Sequence, residues 1–278
     1  NFYKITNNKY LIDKAQQIVF EGSIVEHPLL KVILPQLTKI DTISFKGNYN
    51  SLEKDSGLNV SITAPLVDYN MFKIFNTTLN FKSDATKIQM LTQVDSVKST
   101  KVNLLKTNVY ATLLHDSLDM NAWSQNTNES NRYLFGITMA GTSNAYSIHL
   151  KDSLLLNNQQ WSVDPSNKFY ISNTGFYVSN FHLATNQSHI SIQSEQNENK
   201  SPIHVDIKNF SIQDITSILN KDTNIASGII NGNFILGEFN KTIPSFVGEL
   251  KIDKLFVNKQ YLGNLALATQ KINDNTIH

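Results

Sequence analysis

The fold is decided by the alternation of apolar and polar residues, which is clearest in Ser188-His189-Ile190-Ser191-Ile192-Gln193-Ser194. The pattern continues in Ile203-His204-Val205-Asp206-Ile207-Lys208 and in Phe246-Val247-Gly248-Glu249-Leu250-Lys251-Ile252-Asp253. Successive side chains of a β-strand point to opposite faces, so a period of two indicates strands with one apolar and one polar face. Such stretches recur along most of the chain. The sequence therefore predicts an all-β protein with one long apolar surface.

The alternation also predicts which side chains share that surface. We expect one continuous interior to be formed by Ile190, Ile192, Val205, Ile207, Phe234, Leu236, Leu250, Ile252, Leu265 and Leu267. Their polar neighbours should face water on the other side of the sheet, namely His189, Ser191, Asp206, Glu249 and Lys251. A shift of one residue in any strand would exchange the two sets.

Composition excludes several classes of function. The 278 residues are 40% hydrophobic, which is enough for a sizeable core, and the formal net charge is +1. A charge this small gives no electrostatic case for nucleic acid or an anionic membrane surface. The chain has no cysteine, which excludes disulfides, thiol catalysis and zinc sites with cysteine ligands. No apolar run is long enough for a membrane-spanning helix.

The segments between the strands predict the remaining elements, which are two helices and two loops. Two short helices are expected, near 28–37 and 213–220. Pro28 suits the first helical position, and the apolar stripe of the first helix is expected to plug one end of the β core. The segments 121–131 and 195–201 are rich in Asn, Ser, Thr or charge, and they are interpreted as exposed loops. We expect one elongated unit over 1–278, with a possible subdivision near 121–131.

No catalytic motif is present, but three alternatives based on single residues remain open. His182, His189 and His204 could bind a metal, although exposed strand histidines are the favoured interpretation. Acid pairs at Asp116 and Asp119, or at Asp152 and Asp164, could serve a glycosidase. Sugars could stack on aromatic side chains, and the candidates are Trp123, Trp161, Tyr170 and Tyr177. We expect no catalytic residue, no metal and no cofactor.

The order of several short segments resembles the TamB family of the translocation and assembly module, and more loosely the wider AsmA-like family of bridge-like lipid transfer proteins. In the second half these segments are Trp161–Pro165, Asn180–Leu183, Ser188–Ile192, Val205–Ile212, Gly228–Gly232, Pro244–Leu250 and Leu262–Leu267. In the first half they are Pro28–Leu30, Leu34–Leu37 and Ile43–Tyr49. The resemblance covers most of the chain, and 85–130 matches only in style.

The resemblance implies an elongated β-sheet curled into an open hydrophobic groove, called a β-taco. It implies that the chain is a segment of a periplasmic bridge in a Gram-negative bacterium. The full-length protein would be anchored in the inner membrane. Such a bridge would conduct phospholipid towards the outer membrane and serve outer-membrane biogenesis. It also implies an outer-membrane barrel partner similar to TamA, contacted through regions outside this chain. Because the sequence begins at Asn1 without Met and stops at His278 within an apparent strand or its turn, we expect it to be an internal fragment of a longer protein.

Two other classes of function compete with the conduit. One is a scaffold for outer-membrane protein assembly or secretion that transports no lipid. The other is a β-solenoid carbohydrate enzyme or adhesin. A conduit predicts an open trough with unfilled apolar surface, whereas a scaffold predicts a closed core packed to interior density. Alternation fits both, so the sequence does not distinguish an open groove from a closed sandwich.

Overall fold

The computed structural model describes residues 15–53, 57–99, 103–125, 131–142, 144–216, 226–239, 244–269, 271–273 and 276–277. The protein is all-β, with antiparallel pairing throughout the printed registers and two short helices. Contacts between residues divide it into two compact units, Asn1–Tyr133 and Leu134–His278. The division thus falls at 133/134, whereas the sequence placed a possible subdivision at 121–131.

The first unit is a meander of long strands. Its strands are β1 (Gln17–Ile24), β2 (Leu37–Ile40), β3 (Ile43–Asn50), β4 (Leu58–Tyr69), β5 (Phe72–Ser83), β6 (Lys87–Lys98), β7 (Asn103–Leu114) and β8 (Ser117–Gln125). Pairing runs β1–β3–β4–β5–β6–β7–β8, and β2 pairs with the far half of β4. Tight turns make consecutive strands neighbours: Asn70 and His115 adopt left-handed φ values of 56° and 52° where β4 meets β5 and β7 meets β8.

The registers of the first unit build one apolar face from the alternation. One row across five strands runs Val60, Phe81, Met90, Ala111 and Met120. The next row carries Phe45, Ile62, Leu79, Thr92, Val109 and Ala122. The opposite face carries Asn48, Asn59, Lys82, Gln89, Thr112 and Asp119. The same registers that satisfy the backbone hydrogen bonds therefore separate apolar from polar side chains.

A transverse line of irregular residues crosses β4–β7, and we call it the crease. Pro65, Asn76, Asp95 and Lys106 are adjacent in the registers. Asn76 and Lys106 have left-handed φ values of 48° and 42°, and the Asn76 amide donates to Asp95 Oδ2 over 2.9 Å. A left-handed residue inside a strand turns the chain out of the pleat. The crease therefore interrupts the pairing of β4–β7 at a common level.

The second unit has two branches of sheet that both start from β9. Its strands are β9 (Asn131–Gly141), β10 (Ala145–Leu150), β11 (Leu154–Leu156), β12 (Gln159–Val163), β13 (Lys168–Ser172), β14 (Gly175–Ser179), β15 (Phe181–Ala184), β16 (His189–Ser194), β17 (Ile203–Ser211), β18 (Ala226–Gly237), β19 (Ser245–Val257), β20 (Gln260–Thr269), β21 (Lys271–Asn273) and β22 (Thr276–Ile277). One branch is β9–β10–β13–β14, and the other runs β9–β11–β12–β15 and on through β16 to β20. Among the described strands of this unit, β20 pairs with β19 only, so the sheet is open at this edge.

Both clusters of buried apolar side chains lie in the second unit, where the two branches face each other. One cluster of buried side chains is Leu154, Trp161, Val163, Leu183 and Phe210. A second cluster is Val178, Ile203 and Val205. Asn167 is fully buried beside them: its Oδ1 accepts from the Leu150 N–H over 2.8 Å, and its Nδ2 donates to the carbonyls of Leu150 and Asp164. The core is thus closed by a polar side chain that bridges β10 and the loop before β13.

The helices differ from the sequence expectation in two ways. α1 is Pro28–Ile33, shorter than 28–37, and Leu37 already begins β2. It buries no residue, and Leu29, Val32 and Ile33 are exposed, so the expected plug of the β core is wrong. α2 is Ile212–Thr216, and the rest of the expected 213–220 helix lies outside the described residues.

The two expected loops also have different outcomes. Residues 195–201 do connect β16 to β17, as the sequence indicated. The expected loop over 121–131 begins instead as strand, because β8 continues to Gln125. Asn121 lies opposite Tyr110 in that strand, so neighbouring pairing overrides the low strand propensity of Asn.

Candidate functional site

The registers place all ten expected interior residues on one face of the second unit. Ile190 lies opposite Ile207, which lies opposite Gly232, and the row continues to Leu250 and Leu267. Gly232 has no side chain of its own, and the Leu250 side chain approaches its place in the row: a Cβ on Gly232 would lie 3.0 Å from Leu250 Cδ1. The row therefore runs across five strands at the same height.

Two further rows flank it on the same side. Ile192 lies opposite Val205 and then Phe234, and Ile252 lies opposite Leu265. Leu236 follows Phe234 by two positions, so the pleat places both side chains on one side. We call this set of ten residues the apolar face of the second unit. Its use by a lipid stays a prediction.

The other side of the same strands is polar. Ser191, Asp206, Asn233 and Glu249 are successive partners in one row, and Lys251 lies two positions from Glu249. His189 contacts Asp206 Oδ1 through Nε2, and the Asn233 amide donates to Asp206 Oδ2 over 3.0 Å. The hydrogen bond from His189 is the main reason why the pKa of Asp206 lies below its ordinary value.

Covering of the apolar face is uneven, and it is most complete over β16 and β17. Val205 is only 8% exposed because Val178 of β14 packs against it. Phe169 and Phe181 meet edge to face, with ring centroids 4.8 Å apart. Ile190 and Ile207 pack against the cluster that contains Trp161. Val205 is buried and Ile190, Ile192 and Ile207 are half-buried, so this part of the face is largely covered.

The face opens towards β20. Leu250 and Ile252 are half-buried, and Leu265 and Leu267 are 49% and 46% exposed. A row that is buried at Val205 thus lies on the same side of the sheet as solvent-exposed leucines. The open alternative therefore describes β20, where large apolar side chains have unfilled surface.

The apolar face of the first unit is also incompletely covered. Among the described residues, neither of the buried clusters includes a side chain of β1–β8. Val60, Phe81 and Met90 are half-buried, and a depression of about 390 Å³ is lined mainly by apolar surface, including Phe20, Val60 and Phe81. The first unit therefore presents an apolar trough with no packed second layer among its described residues.

Two phenylalanines fill the trough where its strands carry glycine. Gly22 pairs with Phe45, and Gly47 pairs with Phe20. A Cβ on Gly47 would lie 2.4 Å from Phe20 Cζ, and one on Gly22 would lie 2.5 Å from Phe45 Cζ. Each ring therefore covers the glycine of the neighbouring strand, which compensates for the missing side chain.

The alternative sites do not assemble. His182 is 3.6 Å from Asp164, His189 contacts Asp206, and His204 lies opposite Ile235. Among the described residues no group of three or more His, Cys, Asp or Glu could hold a metal ion.

No described helix has the length and apolarity needed to cross a membrane.

The aromatic and acidic candidates have different surroundings. Trp161 is fully buried in the core, which contradicts its proposed use as a sugar platform. Tyr170 and Tyr177 stack on each other with centroids 4.8 Å apart, and Trp123 lies opposite Asn108 in β8. Of the acids, Asp119 pairs across the strands with Thr112, whereas Asp164 accepts from Ser166.

Sequence reasoning missed the layer that covers β16 and β17. Leu154, Trp161, Val163 and Val178 carry it, and they lie in strands of three to five residues. Strands this short contain too few residues to show alternation. The available signal was turn chemistry: Asn157 and Asn158 both have left-handed φ values, 52° and 65°, as a two-residue hairpin requires.

Comparison with known proteins found no matching family model, no matching curated protein and no matching solved structure. Membership of the TamB family therefore stays a prediction.

Proposed function

We propose that the apolar faces of the two units bind the acyl chains of phospholipid, and that the protein is a non-enzymatic segment of a periplasmic bridge. The bridge would conduct phospholipid towards the outer membrane of a Gram-negative bacterium. It would take part in outer-membrane biogenesis together with a TamA-like barrel contacted outside this chain.

The observation that carries the proposal is that apolar side chains are gathered on one face of the sheet and remain partly exposed there. In each unit one face collects the large aliphatic and aromatic side chains, yet many of them keep accessible surface. Leu265 and Leu267 are the clearest case, because each keeps nearly half of its surface accessible among the described residues although it lies on an ordered sheet.

Acyl chains fit this surface on energetic grounds. Each methylene removed from water contributes about 0.8 kcal/mol, so a lipid with two chains gains many such increments from an apolar trough. The gain needs no directional contact, and a row of Ile, Leu, Val and Phe lets chains slide without breaking hydrogen bonds. A small net charge of +1 is consistent with binding that depends on apolar area.

The decisive experiment compares opposite faces of one exposed strand. Leu267→Asp places a carboxylate on the apolar face, where acyl chains would have to desolvate it. Ala266→Asp places the same charge on the other face, opposite Lys251. Both positions are exposed, so both variants should fold.

We expect Leu267→Asp to abolish photocrosslinking of phospholipid to a probe at Leu265 in cells and to impair the outer-membrane barrier. Ala266→Asp should retain both. Folded yield is compared by circular dichroism. Equal lipid crosslinking in the two variants, or none in the unsubstituted protein, would refute the conduit.

A scaffold without lipid transport is the second candidate, and the packed core of the second unit favours it. Val178 and Val205 lie in one buried cluster and Trp161 in another, so most of the apolar surface over β16 and β17 is already covered by protein. A scaffold predicts that Leu267→Asp impairs assembly of outer-membrane proteins while lipid crosslinking is absent from both faces.

A further inference from the structure

The hairpin β13–β14 is held over the apolar face by unusual means. β14 pairs through its backbone with β13, and among the described strands it has no second backbone partner. It meets β16 through side chains: the Val178 N–H donates to Ser194 Oγ over 2.9 Å, and the Asn180 N–H donates to Gln193 Oε1 over 2.6 Å. β13 in turn is paired with β10. From the segment after β16 one backbone hydrogen bond reaches β14, from the Lys200 N–H to the Phe176 carbonyl over 3.1 Å, and among the described residues no ladder of such bonds joins β14 to β16.

We propose that this hairpin is a movable cover, and that its separation from β16 opens the apolar face over β16 and β17 to the acyl chains of a phospholipid. This inference rests on the proposed function. In the closed state Phe169 and Val178 occupy the surface that an acyl chain would contact in the open state. The two arrangements therefore compete for Ile192, Val205 and Phe234.

The contact between β14 and β16 contains hydroxyl groups beside the apolar packing of Val178, which lowers the cost of opening it. Ser179 of β14 and Ser194 of β16 are both buried, and Ser194 is 1% exposed. The Ser194 hydroxyl accepts a hydrogen bond from the Val178 N–H. In the loop that follows β16, the Ser201 hydroxyl accepts from the Gln196 N–H over 2.9 Å. Water can replace hydrogen bonds of this kind, whereas separating an entirely apolar seam would expose apolar area with no compensation.

The tip of the hairpin is fastened by the Asn199 side-chain amide, in addition to the backbone hydrogen bond from Lys200 to Phe176. Asn199 Nδ2 donates to Ser172 Oγ over 2.9 Å and to Thr174 Oγ1 over 2.7 Å. Its own Oδ1 is buried and has no hydrogen-bond partner in the part of the chain that the structure describes. An orphaned buried acceptor gains water when it is exposed, so this contact holds the cover while favouring its release.

Opening would join a covered surface to an exposed one. Ile192 and Val205 are on the same side of the sheet as Leu265 and Leu267. An acyl chain bound at β20 could therefore extend over β18 and β17 only after the cover separates. In lipid-free protein, Phe169 and Val178 keep that surface out of water. The cover thus acts as an internal substitute for an acyl chain.

Locking the tip tests the inference, and the absence of cysteine makes the experiment clean. Thr174→Cys combined with Asn199→Cys introduces the only two thiols at side chains that touch. A photoreactive residue is placed at Ile192 under the cover, or at Leu267 outside it, and the purified chain is mixed with vesicles of dioleoyl phosphatidylglycerol.

With the disulfide formed, we expect crosslinking to phospholipid to be lost at Ile192 and retained at Leu267. Reduction of the same sample should restore it at Ile192. Crosslinking at Ile192 that is unchanged by oxidation would overturn the cover. Failure of the thiols to pair would show that the tip does not rest on Asn199, which also overturns it. No crosslinking at either position would instead refute the proposed lipid binding itself.

A second variant moves the equilibrium in the opposite direction. Ser194→Ala removes the acceptor of the Val178 N–H and leaves that donor buried in the closed state. We expect more crosslinking at Ile192 and no change at Leu267. A general loss of structure would raise both together, so the ratio of the two positions separates opening of the cover from unfolding.

Discussion

At the scale of single residues, Asn167 is the polar side chain on which the core of the second unit depends most. It is fully buried and satisfies backbone groups of Leu150 and Asp164 with three hydrogen bonds. We expect Asn167→Ala to lower the free energy of unfolding by roughly 2–4 kcal/mol, because each buried group left unpaired costs about 1–3 kcal/mol. Urea titration measures the change. Asn186→Ala, at an exposed turn, is the control and should stay within about 0.5 kcal/mol.

The pair of His189 and Asp206 predicts a small dependence of stability on pH. The hydrogen bond from His189, followed by that from Asn233, holds the pKa of Asp206 below its ordinary value of 3.8. The stabilisation is therefore present above pH 3.8 and is lost as pH falls through the lower pKa of the folded state.

Asp206→Asn should remove this part of the acid dependence in unfolding titrations below pH 5. Both side chains are more than two-fifths exposed, so solvent screening keeps the effect small. An identical pH profile in the variant would show that the pair contributes nothing to folding.

At the scale of elements, α1 is a short apolar helix that buries none of its side chains. Val32 and Ile33 are 75% and 74% exposed, whereas Leu37 at the start of β2 is 7% exposed. We expect Val32→Ser and Ile33→Ser to change the free energy of unfolding by less than about 0.5 kcal/mol. Leu37→Ser should cost about 2–3 kcal/mol because it buries a hydroxyl and leaves a cavity. Equal losses at both sites in thermal unfolding would mean that α1 does plug the core.

The crease is the element that sequence alternation could not indicate. Lys106 has a φ of 42° inside β7, a conformation that costs an L-residue about 1–2 kcal/mol. Lys106→Gly should therefore be close to neutral, since relief of strain offsets the entropy cost of glycine. Lys106→Val should lose about 1–3 kcal/mol. If valine were tolerated as well as glycine in chemical unfolding, the left-handed conformation at this level would carry no strain.

At the scale of the whole molecule, unfilled apolar surface should make the folded protein bind hydrophobic ligands. We expect an environment-sensitive apolar dye to bind without denaturant and to be displaced by phospholipid. Raising the salt concentration should change the affinity little, because the net charge is only +1 and burial of apolar area is not screened. Dye binding that appears only as the protein unfolds would argue for a closed scaffold.

The sequence by itself determined the strand class, the two faces and the membership of each face. Ile190, Val205, Leu250 and Leu267 could be assigned to one side because a period of two is a local property of each strand. Zero cysteines and a net charge near zero limited the chemistry equally early. Long strands such as β4 and β19 carry enough residues for this pattern to be read.

Only the tertiary structure decided which parts of the apolar face are covered. Val178 over Val205, and Trp161 against Phe210, join strands that are distant in sequence, and alternation is the same whether the opposite layer is protein or solvent. The crease at Asn76 and Lys106 was hidden for a related reason, since left-handed φ at these residues follows from pairing with neighbouring strands. Periodicity specifies the direction of a side chain, whereas covering depends on where the chain returns.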